Sequence, residues 1–282
     1  MPKGEVPERQ FVRFSRLQRI LHICMIVSFM CLALTGLTLK FSYTSWAAVL
    51  SHLLGGFESA GNIHRSAALV MFGVFVTHLV DLYRQKKREH GSWFALLFGP
   101  GSMMPNRRDL TELVGTLKWF VGLGKRPAYG RWTYWEKFDY MAVFWGVAII
   151  GATGLIMWFP TFFTRFLPGW IINVALLVHS DEALLAAGFI FSIHFFNTHF
   201  RIEKFPMDTV IFSGRVSKTE MLHERKRWYD RLVAAGRLDQ FRIKDEWEQW
   251  KNIARSFGYF FFSLGVILLL LIIYAMTVRL TH

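Results

Sequence analysis

Residues 167–200 read LPGWIINVALLVHSDEALLAAGFIFSIHFFNTHF, an apolar run with two charged residues in its interior. The run exceeds the roughly 20 residues that a helix needs to cross a bilayer, so it predicts a transmembrane helix. It contains His179, His194 and His199. An imidazole inside a membrane costs free energy unless it binds a partner, and intramembrane histidines therefore mark functional positions.

The rest of the chain has the same character. Of its 282 residues, 53% are hydrophobic and 19% are charged, whereas soluble domains carry about 25% charged residues. The runs long enough to span a membrane are Ile20–Leu39, Gly61–Leu82, Phe138–Phe163, Leu167–Phe200 and Ser256–Val278. We therefore predict an all-α integral membrane protein, with a four-helix bundle formed by the first four spans and a fifth, C-terminal transmembrane helix.

Lys and Arg alternate between the connections. They are abundant in the N-terminal arm, in residues 85–137 and in residues 201–255, and they are absent from residues 41–63. By the positive-inside rule this pattern predicts a cytoplasmic N-terminus in the inner (cytoplasmic) membrane, with the C-terminus outside. The net charge of +13 is thus a topology signal. A nucleic-acid surface would instead interleave basic and aromatic residues over a folded face, so we exclude nucleic acid as a partner.

Three segments follow from this topology. They are residues 1–200, the transmembrane bundle with a cytoplasmic loop at 85–137; residues 201–255, a cytoplasmic amphipathic segment; and residues 256–282, the last transmembrane helix. In the second segment, Ser217-Lys-Thr-Glu220 predicts a capping box that opens a charged helix, and Gly236 predicts its end. We expect the two cytoplasmic stretches to fold on the membrane surface or against a partner subunit.

Six of the ten histidines lie in or at the edges of the apolar runs. They are His22, His64, His78, His179, His194 and His199. His64 and His78 are 14 residues apart and His179 and His194 are 15 apart, so each pair lies on nearly one side of its helix, with ~21 Å of rise between its members. Two such helices running in the same direction can hold two stacked porphyrins, because neutral imidazole is an axial ligand of haem iron. The absence of Cys-x-x-Cys-His favours b-type haem.

The pairing of these histidines differs between the two sides of the membrane. Near the predicted outer surface, His64 pairs with His179. The residues that compete on the inner side are His22, His78, His194 and His199. On an α-helix His199 lies ~140° beyond His194, so the two do not face the same haem. Either one inner haem uses His194 with His22 or His78, or two inner haems use all four. The alternative for His78 is a polar residue bonded to a carbonyl, and for His199 a residue at headgroup level.

A short motif occurs twice. Thr35-Gly36 in the first span recurs as Thr153-Gly154 in the third, and His64 follows Gly36 by 28 residues, whereas His179 follows Gly154 by 25. This weak repeat predicts that spans one and two are a copy of spans three and four, with the two histidines as counterparts.

Several motifs of the first four spans resemble a known family. They are Arg19-Ile-Leu-His22, Thr35-Gly36, Ile63-His64, Leu176-Leu-Val-His179, Ile193-His194 and Gly214-Arg-Val-Ser217. The pattern resembles the gamma (cytochrome b) subunit of membrane formate dehydrogenases, in a di-haem family that includes hydrogenase and thiosulfate reductase cytochrome b subunits. The resemblance implies a four-helix bundle with two b haems, the outer one bound by His64 and His179 and the inner one by His22 and His194.

This sequence departs from the family pattern in three ways. It has a fifth span, it adds His78 and His199, and its fourth-span histidine spacing is one residue longer. The spacings within the second and fourth spans are instead similar to those of the cytochrome b in quinol-oxidising bc-type complexes. We therefore expect two haems or three.

A quinone is the natural lipid-soluble redox partner, and its chemistry requires proton exchange as well as electron transfer. Carboxylates at membrane depth are therefore candidates for the quinone site. Asp181 and Glu182 lie near the outer haem site, whereas Glu136 and Asp139 open the third span at the inner surface. The resemblance places the quinone, menaquinone or ubiquinone, beside the inner haem and favours the second pair. The alternative for Glu136, Lys137 and Asp139 is an interfacial salt-bridge cluster.

The leading hypothesis is a cytochrome b subunit that carries electrons between the quinone pool and a partner such as an iron–sulfur or multihaem protein. It is expected to be the quinone-reactive part of an oxidoreductase complex and not a stand-alone catalyst, since the sequence has no phosphate loop, dinucleotide fingerprint or iron–sulfur cysteine cluster. The alternatives are a proton or metal transporter that uses the same histidines and carboxylates, and a membrane anchor without a redox role.

Overall fold

The computed structural model describes residues 9–205, 207–243 and 251–281. Within them the α-helices are α1 (Arg16–Lys40), α2 (Ser45–Leu53), α3 (Phe57–Gln85), α4 (Trp93–Phe98), α5 (Arg107–Phe120), α6 (Tyr134–Trp158), α7 (Pro160–Phe163), α8 (Ile171–Phe189), α9 (Val210–Ser213), α10 (Lys218–Glu224), α11 (Lys226–Ala234) and α12 (Lys251–Thr281). The remaining elements are the strands β1 (Gln10–Val12) and β2 (Arg215–Ser217), π-helical turns at Lys86–His90, Ile190–His194 and Phe196–Phe200, and a 3-10 turn at Leu238–Phe241.

Five helical stretches are long and apolar enough to cross a membrane. They are Arg16–Lys40, Phe57–Arg88, Tyr134–Trp158, Ile171–Phe200 and Asn252–Val278. Large apolar side chains such as Leu69, Leu176 and Leu270 on these helices are more than half exposed, as expected where lipid covers the surface. The five spans and the all-α class are confirmed, and the chain is a multi-pass membrane protein.

The boundary between the third and fourth spans differs from the sequence prediction. We expected the third span to continue to Phe163, but α6 ends at Trp158 and α7 starts a separate turn at Pro160. Likewise, α8 begins only at Ile171, three residues after Pro168. A proline has no N–H and restricts the residue before it, so each proline interrupts the helix although the apolar character continues.

The chain forms two compact units, each described separately. Unit one contains the described residues of Met1–Ile20, Val80–Met141 and Thr209–Ala254, and unit two those of Leu21–Leu79, Ala142–Asp208 and Arg255–His282. Unit one therefore combines the N-terminal arm, the long basic loop and the second basic stretch, which lie far apart in the sequence.

In unit two, one apolar core joins α1, α8, the π-helical turns and α12. Its buried members are Met30, Leu37, Phe41, Ala187, Phe191, Phe195, Leu268, Ile272 and Ala275. The fifth span thus packs closely against α8, which carries His179, and against the π-helical turn that carries His194, and it is an integral part of this unit.

In unit one, β1 and β2 form an antiparallel ladder in which Phe11 lies opposite Val216. This small sheet was not predicted, because three-residue strands carry no readable alternation. At the end of β2, Ser217 caps α10 as expected: the N–H of Glu220 donates to Oγ of Ser217 at 3.1 Å, which is one of the two bonds of the predicted capping box. The helix that follows is broken at Arg225 into α10 and α11, and Gly236 has a φ of 62° after α11, which a glycine adopts without strain.

Candidate haem-binding sites

His64 of α3 and His179 of α8 face each other in unit two. Their ring centres are 6.1 Å apart, with planes inclined by 65°. Two metal–nitrogen bonds of ~2 Å each, together with the distances from the nitrogens to their ring centres, give a separation of ~6 Å between the centres of two imidazoles on one metal ion. The observed separation therefore fits a haem iron bound between the two rings.

The other nitrogen of each ring is already engaged. Nδ1 of His64 lies 2.9 Å from Oγ1 of Thr35, and Nδ1 of His179 lies 2.9 Å from the carbonyl oxygen of Ile150 and 3.3 Å from Oγ1 of Thr153. A carbonyl only accepts hydrogen bonds, so Nδ1 of His179 must carry the proton. The neutral ring then has its lone pair at Nε2, which is the nitrogen available to iron.

The same tautomer follows for His64 from the bonds of the threonine. The hydroxyl of Thr35 donates to the carbonyl of Cys31 at 2.6 Å, so its oxygen is left to accept from Nδ1 of His64. Thr153 repeats this arrangement by donating to the carbonyl of Ile149 at 2.7 Å. Hydrogen bonds of this kind orient metal-binding histidines and raise their basicity.

The glycine after each threonine allows the histidine to approach. A Cβ at Gly36 would lie 3.2 Å from Cε1 of His64, and a Cβ at Gly154 would lie 3.1 Å from Cε1 of His179. Both distances are tighter than ordinary van der Waals contacts. The sequence repeat therefore has a physical meaning, since each Thr-Gly copy supports one histidine. We call His64, His179 and these two Thr-Gly motifs the paired-histidine site.

The carboxylates beside this site are held by neighbouring side chains. Nζ of Lys40 lies 2.9 Å from Oδ1 of Asp181 and donates to Oγ of Ser180 at 3.1 Å. Nε1 of Trp145 donates to Oε2 of Glu182 at 3.2 Å. The Asp181 side chain is 61% exposed, and an exposed ion pair of this kind adds about 1 kcal/mol or less to stability.

The second histidine group consists of His22, His78, His194 and His199, and two of its members lie on unusual backbone. Phe195 N–H bonds to the carbonyl of Ile190, and Arg201 N–H bonds to the carbonyl of Phe196 at 3.2 Å. These i→i+5 bonds define π-helical turns. We call Ile190–Phe200 the wide-turn segment.

The wide-turn segment changes the angular relations deduced from the sequence. The ~140° between His194 and His199 holds for an α-helix, whereas a turn with i→i+5 hydrogen bonds contains more residues than an α-helical turn, which makes the angle between them smaller. His194 and His199 also interact electrostatically. The expectation that they face different directions rested on α-helical geometry that this segment does not have. The π turn before His194 also accommodates the extra residue between His179 and His194.

His194 has a second histidine neighbour, His22 of α1, with which its ring also interacts electrostatically. His78 of α3 lies edge-on to Phe144 of α6, with ring centres 6.1 Å apart. His194 thus has histidine neighbours both on α1 and within the wide-turn segment.

His199 differs from the paired histidines in its hydrogen bonding. Its Nδ1 is buried and has no hydrogen-bond partner among the residues that the structure describes. The ring is instead held between aromatic rings, 5.5 Å from the ring centre of Phe195 and 5.1 Å from that of Phe262 on α12.

Gly265 brings α12 close to the wide-turn segment. A Cβ at this position would lie 2.6 Å from the ring of Phe195 and 2.9 Å from that of Phe191. Distances this short require the neighbours to move. Sequence reasoning missed this contact, because nothing in the apolar sequence of α12 marks the helix it packs on.

Glu136, at the start of α6 in unit one, lies in a dense ion-pair cluster. Nη2 of Arg13 and Nη2 of Arg225 each lie 2.9 Å from Oε1 of Glu136, and Thr133 donates to Oε2 through its N–H and its hydroxyl at 2.9 Å. Burial and the charge of Arg225 lower the pKa of Arg13 to about 9, so the guanidinium is still charged at neutral pH. The next residue, Lys137, pairs with Asp109 at 3.0 Å.

The sequence left two interpretations of Glu136 and Asp139: a quinone site or an interfacial salt-bridge cluster. Glu136 is bound by two guanidinium groups, which is the arrangement of a structural salt-bridge cluster. Asp139 lies three residues further along α6. The pairing of Glu136 with Arg13, 123 residues away, could not be read from local sequence.

No family model matches the chain. The chain is similar to the cytochrome b556(Fdn) subunit of nitrate-inducible formate dehydrogenase from Escherichia coli (strain K12), Escherichia coli O157:H7 and Shigella flexneri. In each case the identity is 20% over 230 residues, which cover 80% of this chain and 94% of the relative. The similarity thus extends over most of both proteins and supports a membrane cytochrome b in the broad sense.

Proposed function

We propose that this protein is a membrane cytochrome b that carries electrons between the quinone pool and a partner redox subunit of a respiratory oxidoreductase complex. The observation that carries the proposal is the paired-histidine site, in which two imidazoles stand 6.1 Å apart and each is fixed by a bond to Nδ1. Bound b haem would supply a one-electron carrier that is reduced and reoxidised without leaving the protein.

The chain's own residues prepare this site for iron. The hydroxyl of Thr35 and the carbonyl of Ile150 hold the protons of His64 and His179 at Nδ1, which keeps the lone pairs at Nε2. Because these acceptors are already in place, little reorganisation is needed when the ligands bind.

We assign a second haem to His194 and His22, which gives two haems per chain. The support is that His22 interacts electrostatically with His194 from a different element, α1, whereas His199 lies on the same wide-turn segment as His194, and that His78 packs edge-on against Phe144. His199 is assigned no haem, since its Nδ1 lacks the acceptor that both paired histidines have. A third haem, bound by His78 and His199, is the alternative that haem quantitation decides.

For the quinone we favour the side of the second haem, with Asp139 as the proton-exchanging carboxylate. Glu136 is better explained as a structural residue, because two arginines hold it. The two roles separate in variants: Asp139→Asn should slow quinol oxidation in a stable protein, whereas Glu136→Gln should lower stability by about 3–5 kcal/mol, since it leaves buried arginines unpaired. A normal quinol rate in Asp139→Asn contradicts the assignment.

The relatives are named as subunits of a formate dehydrogenase, and by analogy we propose that this chain assembles with a redox subunit that contains iron–sulfur clusters or several haems. From the distribution of Lys and Arg we place it in the inner membrane with a cytoplasmic N-terminus. Cysteine accessibility on either side of spheroplasts, measured at single introduced cysteines, tests this orientation.

The experiment that tests the function is haem quantitation on the purified protein. The pyridine haemochrome should show two b haems per chain, and a quinol analogue added to membranes should reduce them. His22→Ala should remove one haem and His78→Ala none, with the exposed His52 of α2 providing a matched His52→Ala control. A protein without haem, or one that transports protons or divalent metal into proteoliposomes instead, would refute the proposal.

A further inference from the structure

Helix α5 (Arg107–Phe120) carries an apolar stripe on its exposed side. Leu110 is 65% exposed, Val114 43% and Leu117 56%. Their i, i+4, i+7 spacing places them within ~60° around the helix. Val121, 68% exposed, continues the stripe beyond the last turn. In an amphipathic helix covered by water, the apolar side would face the protein.

The opposite side of α5 is polar and buried in unit one. Glu112, 5% exposed, accepts a charge-assisted hydrogen bond from Arg227, and Oγ1 of Thr116 lies 2.7 Å from the hydroxyl of Tyr129. Burial raises the pKa of Glu112, against the opposing effect of Arg227.

These bonds determine which side of α5 points outward. Rotation of the helix to bury the stripe would take Glu112 away from Arg227 and leave a charge unpaired, which is strongly unfavourable for a buried group. Gly115 adds a steric constraint, because a Cβ there would lie 2.9 Å from the ring of Pro127. The apolar side is thus fixed as the outer surface.

Two features identify what covers this surface. The first is chain position, since α5 lies in the connection between the spans Phe57–Arg88 and Tyr134–Trp158, so both ends of the connection start at the bilayer. The second is charge. The exposed Arg107 and Lys118 both lie along one edge of the stripe, ~50–75° from its centre. Basic residues beside an apolar stripe are typical of helices that lie in a membrane interface and bind anionic headgroups.

We propose that α5 is an interfacial helix that inserts Leu110, Val114 and Leu117 into the acyl boundary of an anionic bilayer, with Arg107 and Lys118 at the phosphate level. The helix fixes unit one to the lipid surface through a contact separate from the five spans. The proposal does not depend on haem binding and is tested without it.

The test uses the full chain in nanodiscs, with Cys24 and Cys31 replaced by alanine and one new cysteine labelled with an environment-sensitive fluorophore. Leu117→Cys reports the stripe. Arg108→Cys is the matched control, because Arg108 is exposed on the same helix and lies ~150° from the stripe. Lipids with brominated acyl chains should quench the label at residue 117 at least threefold more than the label at residue 108.

The contribution of the two basic residues to lipid binding is tested in the same nanodiscs. Arg107→Gln together with Lys118→Gln should lower the quenching at residue 117 in phosphatidylglycerol nanodiscs and change it little in phosphatidylcholine. Equal quenching at residues 117 and 108 overturns the proposal. The proposal is also overturned if lipid does not quench the label at residue 117 and only an added partner protein shields it. That result would assign the stripe to a protein interface.

Discussion

The two histidine sites of unit two are stabilised in different ways. In the paired-histidine site, each imidazole is fixed by hydrogen bonds to Nδ1 and by a neighbouring Thr-Gly motif. In the second group, His194 and His199 lie on the wide-turn segment, whose aromatic side chains pack against α12. The comparison shows that one site depends on specific bonds from adjacent helices, whereas the other depends on the packing of the fifth span.

This difference leads to variants that should affect one site and spare the other. Measurements that resolve the two haems, such as redox titration of the α-band, can assign each effect to a site.

The largest loss of haem is expected from a bulky side chain at the glycine of a Thr-Gly motif. Gly154→Val should abolish the haem of the paired-histidine site, because even a single Cβ would lie 3.1 Å from Cε1 of His179, and valine adds two methyl groups. The haem content should fall from two to one per chain. Gly73→Ala, where a Cβ meets no atom within 4 Å, is the control, and full haem content in Gly154→Val would show that close approach is not required.

A smaller effect, on the other site, is expected from Gly265→Ala. A new Cβ would overlap with the rings of Phe191 and Phe195, and overpacking of this kind typically costs about 1–3 kcal/mol. The redox potential of the second haem should shift while that of the paired-histidine haem stays the same.

Two further variants keep this prediction testable if Gly265→Ala folds poorly. Phe262→Leu removes the ring contact with His199 without added bulk, and Phe260→Leu is the control, since Phe260 is 63% exposed on the same helix. Equal shifts of both haems, or no shift in either variant, would mean that α12 does not position the wide-turn segment.

Removing the threonine hydroxyl beside either histidine should weaken haem retention at the paired-histidine site, and the two threonines should differ in the size of the effect. Thr35→Val removes an acceptor 2.9 Å from Nδ1 of His64 and should weaken haem retention by about tenfold or more, as for other groups that orient metal ligands. Each histidine also has a backbone partner, Leu32 for His64 and Ile150 for His179. Thr153→Val should nevertheless matter less, because Oγ1 of Thr153 lies farther from its histidine, at 3.3 Å from Nδ1 of His179. The rate at which each variant loses haem to apomyoglobin measures both effects. The reverse order would contradict the hydrogen-bond assignment.

The smallest effect is expected at His199. His199→Leu removes a buried Nδ1 that has no partner in the described part of the chain, so it should leave haem content at two and stability unchanged or slightly higher. Thermal unfolding and haem quantitation test this together, with His194→Leu as the contrast. Loss of a haem from His199→Leu would support the three-haem alternative.

Much of this architecture could be predicted from the sequence because it depends on regular helices. The length and low charge of the apolar runs predict the five spans. The 3.6-residue period predicts which histidines lie on the same side of a regular helix. Helix spacing and topology predicted His64 and His179 as a pair, and the Thr-Gly repeat made them counterparts; the 6.1 Å between their ring centres is known only from the structure.

The features that escaped prediction depend on tertiary contacts or on irregular backbone. No sequence pattern marks π turns, so the angle between His194 and His199 was derived from the wrong period. The ion pairs of Glu136 join residues far apart in the chain, and the backbone carbonyl that orients His179 has no side-chain signature. Pro160 begins the separate turn α7, and Pro168 precedes the start of α8, so the apolar stretch is divided where hydrophobicity alone shows little change.

The most direct test of the central claim is the haem content of His64→Ala, His179→Ala and the double variant. If both imidazoles bind one iron, each single variant loses the same haem, and the double variant loses no more than either single one. The pyridine haemochrome should therefore read one b haem per chain in all three proteins, against two in the wild type. Two haems in either single variant, or none in the double variant, would contradict the account.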